Sequence, residues 1–315
     1  HPVITALLLV SSAMTLVWSS SSRFLSSSAR PLFTEVAIPF QQHVRVEYSS
    51  PVTFIGSCFS ENMSKMLSAR KFNVFSNPTG IAFNPISLST ALMRSFASRL
   101  DCSVVDEPFY AAYLNASGID HPMKDKILKK YSIDPLKVAD NCLKSEVITK
   151  IQFQKHMTHH MLDTFDRSFV PLISNAFLIR SPKKVIKSFG KKIIKFALRD
   201  LGYIQQFDLF EMICNETGVV PPVIDADDLC TNPAIILNLL CRKLDISYCD
   251  KMLSWSRGPH SHDGIWGSYW YGAVNNSSGF EIPRETYCPM SSFQENLIHE
   301  ADQYFSKLNK YKISV

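Results

Sequence analysis

The sequence predicts an α/β protein, a three-layer sandwich around a central, mostly parallel sheet. Two observations lead there. Short apolar runs of strand length, bounded by Pro or Gly, alternate along the chain with stretches whose apolar residues recur at helical spacing. Strands that alternate with helices form crossover units, so the helices end up covering both faces of one sheet. Size permits this: 315 residues, 46% of them hydrophobic, can bury a large core.

Taken in order, Val52–Ile55 reads as a strand, followed by a tight turn at Gly56-Ser57 and a helix to about Arg70. A strand is expected around Ile81. The helix after it carries Ala91, Leu92, Ser95 and Phe96 on one face, and Val104-Val105 is a short buried strand bounded by Pro108. Residues 124–137 read as helix and loop. Val147–Phe153 offers a further strand, running on to His156, with a loop or helix over 157–162. Ala176–Ile179 is an apolar strand, and Pro182 suits the first turn of the next helix. A core helix is expected over Ala197–Met212, with Leu201, Ile204, Phe207 and Phe210 on its apolar side. The last strand lies around Val223, and a helix opens at Asn232-Pro233 with Ile235, Ile236, Leu239 and Leu240 inward. The aromatics Trp255, Trp266, Tyr269, Trp270 and Tyr271 read as a packed lid.

The formal net charge is +5, and the basic bias gathers at Lys183, Lys184, Lys187, Lys191, Lys192 and Lys195. That run suits a phosphorylated ligand or a solvated helix face. No stacking aromatics accompany it, so nucleic acid is not expected. Eight cysteines are scattered without a Cys-x-x-Cys pair or a His partner at zinc spacing; no metal is expected, and an oxidising compartment would permit one or two disulfides.

Val3–Trp18 is a low-charge stretch of 16 residues, Ser19–Arg30 is rich in Ser and Arg, and the first acidic residue is Glu35. Residues 1–40 therefore read as a targeting segment outside the fold: a signal or transit peptide, or a membrane anchor through residues 3–18. Plastid, mitochondrion and Golgi each fit part of it.

The most informative stretch is Asn175–Ser188. Arg180 leaves a strand tip, a helix begins at Pro182, and Ser188 lies two turns in. A guanidinium fork and a hydroxyl can thus meet one anion beside the positive end of a helix. The pattern of Arg180, Pro182, Val185 and Ser188 resembles the 3′-phosphate-binding segment of the sulfotransferase family. Ser89–Arg99 and Val104–Tyr110 resemble that family's first helix and second strand. Leu253–Pro259, Asp263–Trp266 and Trp270-Tyr271 resemble the tail of the plant-like subgroup found beside aminotransferase-like proteins. The resemblance runs from about residue 81 to 315. It implies a fold of P-loop nucleotide-hydrolase type and transfer of a sulfuryl group from 3′-phosphoadenosine-5′-phosphosulfate, without a metal, to a small-molecule, glycan or peptide acceptor. Arg180, Ser188 and Arg257 would hold the 3′-phosphate, and Ser87, Ser89 and Thr90 the 5′ end. His156 would be the base, since imidazole near neutral pH is a suitable proton acceptor. The chain departs from the family at Ile86, where a basic residue is expected, which implies impaired transfer.

A second resemblance precedes it. Gly56-Ser57-Cys58-Phe59, Lys71–Val74, Asn77-Pro78, Gly80-Ile81 and Asn84–Ser87 resemble the GSCFA family, which looks related to SGNH-type esterases. The match covers part of a domain, residues 51–92. It offers an alternative function, an esterase fragment using Ser57, but no Asp lies three residues before any His as such esterases require. A catalytically decayed nucleotide-binding module is the third reading.

Overall fold

The computed structural model describes residues 4–10, 52–54, 74–76, 85–144, 149–190, 196–282 and 290–314. The chain divides into two compact units, residues 18–81 and the remainder. In the first unit, β2 (Val52–Phe54) pairs in parallel with β3 (Val74–Ser76). Ser57 and the strand expected around Ile81 lie outside the described residues.

The larger unit contains β1 (Ile4–Val10), α1 (Pro85–Ala97), β4 (Cys102–Asp106), α2 (Tyr110–Ser117), α3 (Lys124–Lys130) and α4 (Pro135–Lys144). It continues through β5 (Ile151–Met157), β6 (Ser174–Ile179), α5 (Pro182–Gly190), α6 (Leu198–Leu201) and α7 (Tyr203–Thr217). The last elements are β7 (Val223–Asp225), α8 (Ala226–Thr231), α9 (Pro233–Lys243), α10 (Gly267–Trp270), α11 (Gly272–Asn275) and α12 (Ser292–Asn309).

Five strands form one parallel sheet in the order β4-β5-β1-β6-β7. Residues 1–40 were expected outside the fold, and for Ile4–Val10 this is corrected. That run is the central strand, with Leu8 opposite Lys155 of β5 and Ala176 of β6. An apolar run of this length carries the same composition whether it enters a bilayer or a doubly covered sheet; the partner decides which. Among the described residues no helix is long and apolar enough to cross a membrane.

Both faces of the sheet are covered, so β5, β6 and β7 are buried along nearly their whole length. Ala176 and Leu178 of β6 join Ile224 of β7 in a core built with α1, α8 and α9; Phe177, Ile179 and Val223 point the other way, into a core with α4, α7 and α12. Phe96 of α1 stacks on Phe153 of β5 with ring centroids 4.2 Å apart. The helix expected as one piece over 197–212 is two. Gly202 takes φ 75° between α6 and α7, a left-handed turn that glycine makes without strain, and its carbonyl accepts from the Thr158 hydroxyl at 2.9 Å. The α7 helix then runs on to Thr217. Asp225, at the end of β7, caps α8 by accepting from the N–H groups of Asp227 and Asp228.

Candidate active site

In this strand order the chain crosses from one side of β1 to the other between β5 and β6. The carboxyl ends of the strands at such a reversal form a crevice, which is where open α/β sheets bind ligands. Polar and charged residues gather at these ends: Asp106 closes β4 and Glu107 follows it, Lys155 and His156 lie near the end of β5, Arg180 follows β6 and Asp225 closes β7.

Lys155 is wholly buried in the middle layer. Its Nζ lies 3.0 Å from Thr90 Oγ1, 2.9 Å from Asp106 Oδ1, 2.7 Å from Glu107 Oε1 and 2.7 Å from the Tyr271 hydroxyl. The Tyr271 hydroxyl donates to Asp106 at 2.7 Å and accepts from Trp266 Nε1 at 3.0 Å; Gly264 N–H donates to Asp106 Oδ2 at 2.9 Å. Burial lowers the Lys155 pKa, but Asp106 and Glu107 outweigh it and the net shift is upward. Burial, with repulsion from Asp106, raises Glu107 against the pull of Lys155. One ammonium and two carboxylates taken out of water are thus held by each other and by the hydroxyls around them.

Arg94 performs a similar task one turn further along α1. Its guanidinium donates to Asp263 at 2.8 Å, Asn275 Oδ1 at 2.6 Å and the Gly258 carbonyl at 3.0 Å, tying α1 to the loop before α10.

Arg180 is buried directly after β6. Burial pulls its pKa down, offset in part by Asp227, Tyr203 and Asp225 among its neighbours. The end of the strand is fixed by α7: the Tyr203 hydroxyl donates to the Arg180 carbonyl at 2.8 Å and Gln206 Nε2 to the Leu178 carbonyl at 3.0 Å. The Ser181 carbonyl accepts from Lys184 and Val185 N–H at 3.0 and 3.1 Å and starts α5, as the Pro182 signal implies. Ser188 stands half-buried in the second turn of that helix.

The remaining expected residues are dispersed. Ser87 lies in the first turn of α1, Ser89 and Thr90 follow it buried, and Thr90 alone of these meets the Lys155 cluster through a described bond. Arg257 is exposed on the loop whose Gly258 carbonyl Arg94 holds. His156 is corrected in its electrostatics. Alternation along β5 puts it on the face opposite Lys155, beside Phe109 and Phe169, with Nε2 3.1 Å from Gln154 Oε1. Burial pushes its pKa down to about 3, so the near-neutral imidazole that recommended it as a base is not found at this position.

The sequence reading passed over Lys155, Asp106, Glu107 and Tyr271. A lysine inside a strand that is otherwise buried on both faces was the available signal, since an unpaired lysine is almost never found there. Beside the cluster opens a cavity of about 410 Å³, bordered by β4, α4, residues 130–132 and residues 261–264.

The chain matches the family model described as "sulfotransferase domain" over residues 80–310. It belongs to that family. Branched-chain-amino-acid aminotransferase-like proteins 1 and 2 of Arabidopsis thaliana are each 36% identical to it over 201 residues, covering 64% of this chain and 36% of theirs. The match thus spans about a third of the length of those relatives. Similar solved structures include the sulfotransferase domain from the curacin biosynthetic pathway, at 16% identity and TM-score 0.39, covering 70% of this chain and 96% of that one. The sulfotransferase domain of the Synechococcus PCC 7002 olefin synthase is 13% identical, with TM-score 0.41 and coverage of 85% and 97%. Mouse sulfotransferase SULT7A1 complexed with PAP is 12% identical, with TM-score 0.32 and coverage of 72% and 94%.

Two outcomes follow from the buried charges. Lys155→Ala strands two carboxylates in the core, and we expect a loss of about 3–5 kcal/mol in urea unfolding; a loss below about 1 kcal/mol would contradict the network. Acid is expected to destabilise the fold. Burial holds folded His156 and His159 at about 3, whereas unfolded histidines protonate near 6.5, so the unfolded state binds more protons between those values. Stability is complete above about pH 6.5 and falls on acidification, by about 1.4 kcal/mol per pH unit for each histidine. The urea midpoint should drop between pH 7.5 and 5.5, and His159→Phe should flatten that slope.

Proposed function

We propose that this chain transfers a sulfuryl group from 3′-phosphoadenosine-5′-phosphosulfate to a hydroxyl or amine acceptor. The observation that carries this reading is a pair of buried cations on the strands either side of β1: Lys155 near the end of β5 and Arg180 just after β6. Lys155 lies level with Ala176, so two strand spacings of about 4.8 Å and an offset of four residues at about 3.3 Å each set the backbones of Lys155 and Arg180 roughly 16 Å apart, a gap their long side chains shorten. A single nucleotide with phosphates at its 3′ and 5′ ends can bridge that span. Arg180, with Ser188 and the start of α5, would take the 3′-phosphate; Lys155, with Ser87, Ser89 and Thr90, would face the phosphosulfate. Arg257 would close over the 3′ end from its loop.

In the reaction the acceptor oxygen or nitrogen bonds to sulfur while the bond from sulfur to the bridging oxygen breaks. The electron pair leaves with adenosine 3′,5′-bisphosphate. The acceptor's proton passes to the Asp106–Glu107 pair, where Glu107 is held above the usual carboxylate range, a better match to a general base than His156 at about 3. Asp106 is the member of the cluster that borders the cavity, so an acceptor there lies next to it. Ile86 leaves the phosphosulfate loop without its expected cation. A missing clamp of this kind commonly costs roughly hundredfold in rate, so transfer by this chain would be slow.

Calorimetric titration of the whole chain with adenosine 3′,5′-bisphosphate should show micromolar affinity, about −8 kcal/mol, falling at least tenfold in Arg180→Ala. Absence of binding by the unmodified chain would remove the proposal. Ile86→Lys should raise the transfer rate by about tenfold or more in a phosphosulfate-consumption assay; nucleotide binding with no turnover in either form would favour a binding module.

A further inference from the structure

The polar groups that border the cavity beside the Lys155 cluster are not equally engaged. In the sheet, Gln154 Nε2 donates to the Cys142 carbonyl at 2.8 Å and to Gln152 Oε1 at 2.6 Å, while Gln154 Oε1 meets His156 Nε2 at 3.1 Å. The loop before α10 differs. Asp263 takes both of its donors on one oxygen, Oδ2: Arg94 Nη2 at 2.8 Å and His260 N–H at 2.9 Å. The other oxygen, Oδ1, is buried and meets no hydrogen-bond donor among the described residues, on a side chain that is 7% exposed. His262 Nε2 is buried in the same way without a described partner. Burial lowers the His262 pKa against the pull of Asp263, so near neutral pH the ring is uncharged and carries one lone pair and one N–H. Tyr131 accepts from Ile265 N–H at 3.3 Å, which leaves its own O–H to donate. All three residues border the cavity.

Together these groups select a ligand by its chemistry. Asp263 Oδ1 can only accept, Tyr131 has a hydrogen to give, and His262 does either according to its tautomer. An ammonium ion donates but cannot accept from Tyr131; a carboxylate cannot donate to Asp263. A hydroxyl does both. Charge leads to the same class. Asp106 and Asp263 are each matched by a buried cation, Lys155 and Arg94, and the further charged residue of the lining, Lys130, is exposed. The buried charges of the wall are thus balanced and give an ion of either sign little reason to leave water. Val105 and Val138 add apolar surface that suits the C–H faces of a ring. The volume of about 410 Å³ lies within the range of roughly 300–1,000 Å³ that small ligands occupy.

We infer that this cavity binds a neutral polyol, a ring of the sugar or cyclitol type whose hydroxyls bond to Asp263, His262 and Tyr131. A buried acceptor left unmatched is a cost that a ligand hydroxyl removes. Read with the sulfuryl-transfer proposal, on which this last step rests, the polyol is the acceptor. Its hydroxyl next to Asp106 bonds to sulfur as the bond from sulfur to the bridging oxygen breaks, and the proton of that hydroxyl passes to the Asp106–Glu107 pair.

The probes are six-membered rings that differ in their polar groups: myo-inositol, cyclohexanol, cyclohexylamine and cyclohexanecarboxylate. Each is titrated into the whole chain and followed by nuclear magnetic resonance, and adenosine 3′,5′-bisphosphate is titrated separately. Inositol should bind in the millimolar range and shift the ring resonances of His262, and the other rings should bind about tenfold or more weakly. His262→Ala and Tyr131→Phe should each weaken inositol by about fivefold. Asp263→Asn places a donor where the unmatched acceptor stands and should abolish inositol binding; the first two variants lie outside the Arg94 ion pair and carry the test if this one does not fold. Any other ring binding as tightly as inositol, inositol binding that the variants leave unchanged, or no inositol binding at its solubility limit would overturn the inference. A chain that binds nucleotide and not inositol would keep the transfer proposal and lose this one. Inositol binding without nucleotide binding would keep the ligand of the cavity and remove its role as acceptor.

Discussion

A single buried ammonium organises the carboxyl-end rim of the sheet in this protein. Lys155 could not remain charged at zero exposure without close anionic partners. Its four partners come from α1, the end of β4 and the segment after α10. The need to neutralise one charge thereby fixes the relative positions of elements far apart in sequence. Trp266 and Gly264 are drawn in through Tyr271 and Asp106, which is why the aromatic tail packs where it does. Such a network specifies geometry more than it adds stability, because desolvating the ions offsets most of their attraction.

The parallel sheet gives that charge its use. Crossover helices on both faces leave the carboxyl ends of the strands as the one rim where chain direction, helix N-termini and charged side chains coincide. Lys155 and Arg180 flank the central strand there, and the Asp106–Glu107 pair lies at the outer end of the row. The order of the strands thus sets the order of the proposed tasks: 3′-phosphate at β6, phosphosulfate at β5, acceptor at β4.

Much of the fold was legible in advance. The strands at Val104, Phe177 and Val223 and the further strand ending at His156 were marked by apolar runs and punctuation, and Pro182 and Pro233 marked helix starts. The burial of Trp255, Trp266, Trp270 and Tyr271 accords with the expected packed lid, while Tyr269 is half exposed. The site was read less well. Arg180 was visible because a strand tip, a proline and a helix lie within a few residues. Residue type marks His156 for acid–base chemistry ahead of Lys155, whereas burial and strand face are not encoded in the residue's identity.

By itself the sequence determined what nearby residues can settle: the alternation of strands and helices, the helix starts and the strand-to-helix turn after β6 that carries Arg180. These follow from backbone sterics, capping and periodicity within a dozen residues. Only the tertiary structure decided that Ile4–Val10 is the central strand, that Lys155 and His156 look to opposite faces, and that Thr90, Asp106, Glu107 and Tyr271 share one cation. A strand's partner and a buried charge's counterions are set by which distant segments satisfy the same hydrogen-bonding and desolvation demands at once, and no local pattern encodes that.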